Sequence, residues 1–446
     1  MPAIAAGRSC RRWYLFYDGD QWTKLMHWFA DRYFEELHET VSYLRGNGRG
    51  WILGAIAFGW FLSMGVRLTY PVVLPHIRTS LELGLSTAGL LLTVLWTAYA
   101  LGQFPGGFLA DRWGPGTILF ASTSLSAVTV LLVSLSPTAG LLFATTALLG
   151  LSTALYGPAR FPLLSGVFPE RSGTAIGVTQ ATGNLGNTLL PFIVGVVAGT
   201  VAWQFGVLLF VPLFVIIATA IWWSVPRRVG SDGGGGQNKT DSPAQSLSLD
   251  SIRYVISGLT VRSVLTIALI QMLGSFTYQG FTGFFPTYLI EIKSLSTGSA
   301  SLLFGVFFAG GIVIQPITGM AGDKFGERYT LLGVLVFITA SLAALPVIEG
   351  FWPLLAMTIA LSSLLGRAVL ALTYLTESLP ADIRGTGLGI LRTGYILLGS
   401  TSPLVIGVLG DAGYFDHAFW MLAGASFLMM LLCIILPPLS EVDPSM

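Results

Sequence analysis

Charged residues are scarce in this chain of 446 residues. Lys, Arg, Asp and Glu make up 10% of the sequence, against about 25% in soluble domains, and hydrophobic residues make up 53%. This balance excludes a soluble globular protein and indicates one that crosses a lipid bilayer. The net charge of +1 leaves no separate basic domain to neutralise phosphates, which excludes a nucleic-acid partner.

Cysteine and histidine are also scarce. The only two cysteines, Cys10 and Cys433, are far apart in the sequence, which excludes a disulfide framework and a cysteine metal site. The four histidines are scattered, and the sequence contains no nucleophile with an ordered base and no phosphate-binding loop. We therefore expect no enzyme activity, no metal and no cofactor.

The sequence contains many long apolar runs. A helix needs about 20 apolar residues to span a bilayer, and twelve such runs are predicted. They lie at 52–76, 87–110, 117–136, 139–165, 173–199, 203–224, 264–289, 299–321, 330–348, 352–378, 386–409 and 417–437. They form two groups of six, at 51–224 and 262–437, joined by a Gly-rich linker at 225–261 and flanked by segments 1–50 and 438–446.

Basic residues lie mainly on one side of the predicted spans. Seven precede the first span and five lie between the two groups, whereas only Arg78 and Lys293 fall in loops on the other side. Since basic loops stay in the cytoplasm, we expect both termini and the linker to be cytoplasmic in a plasma-membrane protein. Residues 20–45 have apolar side chains at helical spacing and predict an amphipathic helix, either in the headgroup layer or packed on the bundles.

The sequence repeats with an offset of 212 residues. Gln-Phe-Pro-Gly-Gly-Phe-Leu-Ala-Asp-Arg-Trp-Gly at 103–114 matches Gln-Pro-Ile-Thr-Gly-Met-Ala-Gly-Asp-Lys-Phe-Gly at 315–326. The matched pairs include Gly107 and Gly319, Asp111 and Asp323, Arg112 and Lys324, and Gly114 and Gly326. A constant offset across scarce Asp and Gln residues indicates two halves of common origin, which in an apolar chain favours a transporter.

This repeated motif, with the Phe-Pro-Glu-Arg-x-Gly-x-Ala-x-Gly turn at 168–177, resembles the major facilitator superfamily over residues 52–437. The resemblance implies an all-α polytopic membrane protein with twelve transmembrane helices in two pseudo-symmetric six-helix bundles. The bundles would rock about a central site and expose it to either side in turn. We expect a monomer in the bilayer, a small-molecule substrate and a proton as the candidate coupling ion.

The two copies of the motif are predicted to control this motion. Asp111 lies at the cytosolic end of the second span, where a carboxylate can cap the N-terminus of a neighbouring helix. In the superfamily that partner is the eleventh span, near Gly385, and by pseudo-symmetry Asp323 would meet the fifth span near Gly173. The alternative is a turn that only sets the topology.

Four arginines fall inside predicted spans, where a charge costs about 2.5 to 3.5 kcal/mol and marks a functional candidate: Arg67, Arg160, Arg367 and Arg392. Arg67 is similar to the first-span Arg that holds a substrate carboxylate in organic-anion symporters of the superfamily; an Arg that snorkels or bonds backbone carbonyls is the alternative. The offset places Gln279 opposite Arg67, and Arg367 is expected across the cavity from it. The predicted substrate-binding residues are therefore Arg67, Tyr70, Gln279 and Arg367.

The remaining intramembrane charges are predicted near the cytosolic third. Arg160, Glu377 and Arg392 are expected to form an inner ion-pair network, or Glu377 to carry the coupling proton. The offset pairs Arg160 with Leu372, so this arginine is expected to break the symmetry of the halves.

The function predicted from these residues is secondary active transport of a small organic or inorganic anion by a rocker switch. Aromatic residues make up 12% of the chain, which leaves open a multidrug or neutral-solute exporter. A membrane sensor that binds its substrate without transporting it is the alternative from another functional class.

Overall fold

The computed structural model describes residues 39–40, 42–227, 261–380 and 384–438. Most of the predicted amphipathic helix at 20–45 and of the linker at 225–261 lies outside these residues.

Twelve helices of the described residues are long and apolar enough to cross a membrane, as predicted. In chain order, α1 to α12 span Arg49–Leu81, Leu85–Trp113, Pro115–Ser134, Ala139–Val167, Pro169–Thr200, Trp203–Ser224, Arg262–Glu291, Thr297–Phe325, Glu327–Val347, Phe351–Glu377, Gly387–Asp411 and Phe415–Ile435. The helices α1–α6 and α7–α12 form the two bundles.

Four of these helices are interrupted within the membrane domain, at Leu155, Leu209, Ser362 and Thr401. Helix α4 is broken at Leu155, between Ala154 and Tyr156, because the ring of Pro158 clashes with the carbonyl four residues earlier. Helix α10 breaks at Ser362, whose Oγ donates to the Thr358 carbonyl oxygen at 3.2 Å, a bond that competes with the backbone ladder.

The two faces of the membrane domain differ in how the bundles meet. We call the face where α2 and α8 end, beside Asp111 and Asp323, the motif face, and the face where α2 and α8 begin the distal face. Near the distal face small residues bring helices of the two bundles into contact. A Cβ at Gly89 of α2 would overlap the Pro403 carbonyl of α11, and one at Gly195 of α5 would overlap Ser301 of α8.

Polar contacts also join the bundles at the distal face. The Asp411 carboxylate, at the end of α11, accepts backbone hydrogen bonds from Leu85 at 2.7 Å and Ser86 at 2.8 Å, so it caps the N-terminus of α2. Arg78 of α1 forms an ion pair with Glu291 of α7. The distal face is therefore closed.

The motif face is open. Glycines of α5, α8 and α11 near this face have no neighbour within 4 Å at the position of a Cβ: Gly173, Gly177, Gly319 and Gly389. Asp111 and Asp323 are exposed, and no side chain caps the N-terminus of the helix that begins at Ser172. The predicted contact of Asp323 with α5 is thus not made in this conformation. The other predicted contact joins Asp111 to the start of α11 near Gly385. Residues 381–383, next to that start, lie outside the described residues.

Loss of the Asp411 cap should favour the opposite conformation. We expect Asp411→Ala to destabilise the closed distal face by about 0.5 to 2 kcal/mol, because two backbone donors lose their acceptor. The measurement is the accessibility of a cysteine placed at Thr97, beneath this contact, to a thiol reagent added from the distal side. Glu349→Ala, which removes an exposed acid at the same face, is the control and should leave accessibility unchanged.

Candidate functional site

A cavity of about 280 Å³ lies between the bundles. Both bundles line it, with Trp96 and Tyr99 from α2 facing residues of α7, α8, α10 and α11. Its polar lining from the second bundle consists of Gln271, Ser275, Tyr278, Gln279, Gln315, Arg367, Arg392 and Tyr395. Among the described residues the lining therefore includes two cationic side chains and no carboxylate.

A larger recess of about 500 Å³ lies within the second bundle, between α8, α9 and α10. Its lining is apolar except for Ser363, and its residues Phe337 and Ile359 are exposed. An apolar groove on one bundle alone suits lipid chains rather than a transported solute, so we place the functional site in the smaller cavity.

Arg367 is the most deeply buried cation of the cavity wall. Its side chain is 4% exposed, and its Nη1 donates to Oε1 of Gln271 on α7 at 2.9 Å. Its Nε has no hydrogen-bond partner among the described residues. A guanidinium with one neutral partner and free donor capacity at a cavity wall is suited to bind an anion.

Gly274 makes room for this guanidinium. A Cβ at Gly274 would overlap the Arg367 side chain, which lies directly against the α7 backbone. We expect Gly274→Ala to displace Arg367 and weaken anion binding about tenfold, the loss of roughly one charged hydrogen bond. Equilibrium binding to purified protein measures this change. Gly424→Ala is the matched control, since nothing lies within 4 Å of a Cβ at that helical position.

Arg67 lies behind the cavity wall. It is 1% exposed, and its Cζ lies 4.0 Å from the ring centre of Tyr99, which itself lines the cavity. Its remaining contacts are neutral: Nη1 donates to Ser63 Oγ at 3.4 Å and Nη2 to Met64 Sδ at 3.1 Å. Tyr99 therefore separates Arg67 from the cavity in this conformation.

Arg160 is also buried, and the Trp60 ring lies near the guanidinium groups of both Arg160 and Arg67. Its Cζ lies 4.1 Å from the Trp60 ring centre, and its Nη2 donates to Gln180 Oε1 at 3.2 Å. Its Nε and Nη1 have no hydrogen-bond partner among the described residues. Arg392 of the second bundle is exposed towards the cavity and lies within electrostatic range of Arg160.

The comparisons with known proteins agree with this architecture. Residues 56–298 and 267–445 match the family model described as Major Facilitator Superfamily. The chain belongs to this superfamily. Its members are transporters and not enzymes, so the protein is a multi-pass membrane transporter with a small-molecule substrate.

Curated relatives in the superfamily match most of the chain at low identity. A probable sulfoacetate transporter of Cupriavidus necator is 23% identical over 84% of this chain and 91% of its own length. A fosmidomycin resistance protein of Escherichia coli is 24% identical over 81% and 86%. A probable galactarate/D-glucarate transporter of Escherichia coli is 23% identical over 84% and 90%.

Among solved structures, a bacterial homologue of the human lysosomal transporter Spinster, in an inward-facing and occupied conformation, has the same fold. The TM-score is 0.73 at 14% identity, over 89% of this chain and 98% of the other.

The four residues predicted to bind substrate occupy different places in this superfamily fold. Gln279 and Arg367 line the cavity, whereas Arg67 and Tyr70 do not. Gln279 donates to the Ile396 carbonyl at 3.2 Å, and the buried Tyr70 hydroxyl bonds with Thr146 Oγ1 at 2.9 Å.

The predicted inner network is only partly assembled. Arg160 and Arg392 are brought near each other, but Glu377 is exposed at the end of α10 and pairs with neither. Gln180 takes the place of the expected acidic partner of Arg160.

The contacts of Arg160 and Arg367 can be compared through the internal repeat. The offset of 212 residues pairs Arg160 with Leu372; its contact on α1 is Trp60, and the matching level of α7 is Met272. Arg367 contacts Gln271 and Gly274 on either side of that level. The guanidinium groups of Arg160 and Arg367 therefore contact equivalent levels of α1 and α7, although the two residues are not paired by the offset. The packing of α4 and α10 keeps the offset: Gly102 packs against Ala154, and Ile314 packs against Gly366.

The sequence prediction missed several residues of the cavity wall. The missed residues Gln271 and Ser275 precede the predicted residue Gln279 at four-residue steps, so the three form a polar stripe on an otherwise apolar helix. This spacing was the available signal. Tyr99 and Tyr395 carried none, because single aromatic residues are common in apolar spans.

Proposed function

We propose that this transporter carries a small anion through the cavity between its bundles. One observation supports the proposal. Arg367 and Arg392 both line the cavity, and its lining contains no carboxylate among the described residues. Arginine binds carboxylates, sulfonates and phosphates through a planar fork of donors. An anion is also the ligand that best offsets the cost of buried cations.

The names of the relatives support the same substrate class. Sulfoacetate and D-glucarate, which name two of them, are small anions with carboxylate or sulfonate groups. We propose a substrate of that size and charge, held by Arg367 and joined by Arg67 when the cavity closes.

The cycle that we propose is a rocker switch in the plasma membrane, run by a monomer. The basic residues before α1 and between the bundles favour a cytoplasmic motif face and cytoplasmic termini. The structure would then be the inward-open state, with Asp411 and the Arg78–Glu291 pair holding the outer face closed. Asp111 and Asp323 would form their helix caps in the outward-open state.

A drug exporter is the second candidate. Four aromatic side chains line the cavity: Trp96, Tyr99, Tyr278 and Tyr395. An apolar drug would use these rings rather than the arginines.

Uptake into proteoliposomes separates the candidates. The purified chain is tested with labelled sulfoacetate and D-glucarate, and with D-glucitol, the neutral counterpart of D-glucarate. Saturable uptake of an anion without uptake of D-glucitol is the expected result. Uptake of neutral or apolar solutes alone would identify the exporter, and binding without flux under any gradient would identify a sensor.

A further inference from the structure

Four arginines on both bundles surround or back the cavity: Arg67 and Arg160 on α1 and α4, and Arg367 and Arg392 on α10 and α11. The acidic residues of the twelve spans have the opposite distribution. Each lies within three residues of a helix end: Asp111, Glu170, Glu291, Asp323, Glu327, Glu377, Asp411 and Asp416. Positive charge is therefore concentrated in the centre of the membrane domain.

Neutral groups alone contact the three buried arginines among the described residues. Arg367 bonds with Gln271, Arg160 with Gln180, and Arg67 with Ser63 and Met64. Each of the three retains an Nε without a hydrogen-bond partner in the described part of the chain. Amides, hydroxyls and rings solvate a guanidinium but do not cancel its charge, so the empty site stays positive.

The surroundings of these arginines must change during alternating access. Closing the motif face brings α4 of the first bundle towards α11 of the second, and with them Arg160 towards Arg392. In an empty carrier these like charges approach each other as water leaves the cavity, and their repulsion strengthens as the effective dielectric constant falls. An anion bound in the cavity offsets this repulsion, because it adds a negative charge near the arginines that approach each other.

Proton-coupled carriers can solve this problem with an intramembrane carboxylate that loses or gains a proton when the carrier returns empty. Here the spans place their carboxylates at the membrane surfaces, where they do not neutralise the central arginines. Glu377, the candidate proton carrier, is exposed and has no contact with Arg160 or Arg392 in the described residues.

We infer that the protein is an anion exchanger: its bundles reorient readily only with an anion bound, so an anion must return for each anion that crosses. This inference rests on the proposed function and adds the mode of coupling. No covalent bond forms or breaks and no proton is carried. One anion leaves as another enters, and anions of equal charge make the exchange electrically neutral.

The test uses the full chain in proteoliposomes with labelled sulfoacetate and D-glucarate as probes. Vesicles are either empty or loaded with the unlabelled probe, with and without an imposed pH gradient. We expect uptake at least about tenfold faster into loaded vesicles, with no effect of the pH gradient. Equal uptake into empty vesicles, or uptake driven by the pH gradient, would overturn exchange but leave anion transport standing. No uptake of either anion under any condition would overturn both proposals.

A variant of Arg392 tests whether repulsion between arginines is what enforces exchange. Arg392→Gln removes one of the two charges that approach each other, so the empty carrier should return more easily. We expect the ratio of uptake into empty vesicles to uptake into loaded vesicles to rise about tenfold, even if both rates fall. General damage to the fold would lower both rates together. An unchanged ratio would show that repulsion between arginines does not enforce exchange.

Discussion

Arg367→Ala is expected to weaken anion binding by about 100-fold or more, the effect of removing one partner from a buried charged contact. The reason is its position: Arg367 lines the cavity, is held by Gln271 and has unused donor capacity at Nε. Arg367→Lys keeps the charge but loses the planar fork, so its affinity should lie between those of wild type and Arg367→Ala. Isothermal titration of purified protein measures all three.

The control for this prediction is Arg262→Ala. Arg262 is exposed at the first residue of α7, and its loss changes the net charge equally. Equal losses of affinity in the two alanine variants would show that only overall charge matters. Unchanged affinity in Arg367→Ala would remove Arg367 from the site.

Arg67→Ala is expected to abolish saturable transport, with a rate at least about 100-fold below wild type. Its effect should differ in kind from that of Arg367→Ala, because Tyr99 separates Arg67 from the cavity in the conformation open to the motif face. An anion that binds in this conformation meets Arg367 first, and Arg67 joins when the bundles close around it. We therefore expect a large fall in maximal rate with a smaller change in affinity than Arg367→Ala causes.

Uptake kinetics in proteoliposomes, combined with binding to the purified variant, separate these quantities. Expression and thermal unfolding show whether the variant is folded. Normal transport by a folded Arg67→Ala variant would contradict a role for Arg67 in carrying an anion.

Hydropathy and the internal repeat were sufficient to predict the twelve helices and the two halves, and the repeated motif with the turn at 168–177 carried the resemblance to the superfamily. These features depend on long-range composition, and small errors in helix ends do not affect them. The contacts made by a single long side chain are harder to predict. The offset of 212 residues pairs Arg160 with Leu372, yet it is Arg367 whose side chain contacts the level of α7 that corresponds to Trp60.

The partners of the buried arginines could not be predicted either, and the reason is different. The sequence showed that Arg160 and Glu377 lie in membrane spans, and opposite charges in a membrane are expected to pair. Glu377 lies at the end of its helix and stays exposed, while Gln180 from α5 reaches Arg160. Which residue becomes the partner of a buried arginine depends on which side of each helix faces the neighbouring helix. A span that is apolar on every side does not show in its sequence which side that is.

The most direct test of the account is a thermal-shift measurement of the purified protein with paired ligands. Each carboxylate or sulfonate, including D-glucarate and sulfoacetate, is compared with a neutral compound of similar carbon skeleton, such as D-glucitol. A ligand present at 100 times its dissociation constant stabilises the folded state by about 2.7 kcal/mol, which a thermal shift detects. The account predicts that at least one anion stabilises the wild type, that its neutral counterpart does not, and that Arg367→Ala loses the effect. Stabilisation by neutral compounds alone, unchanged in Arg367→Ala, would contradict it.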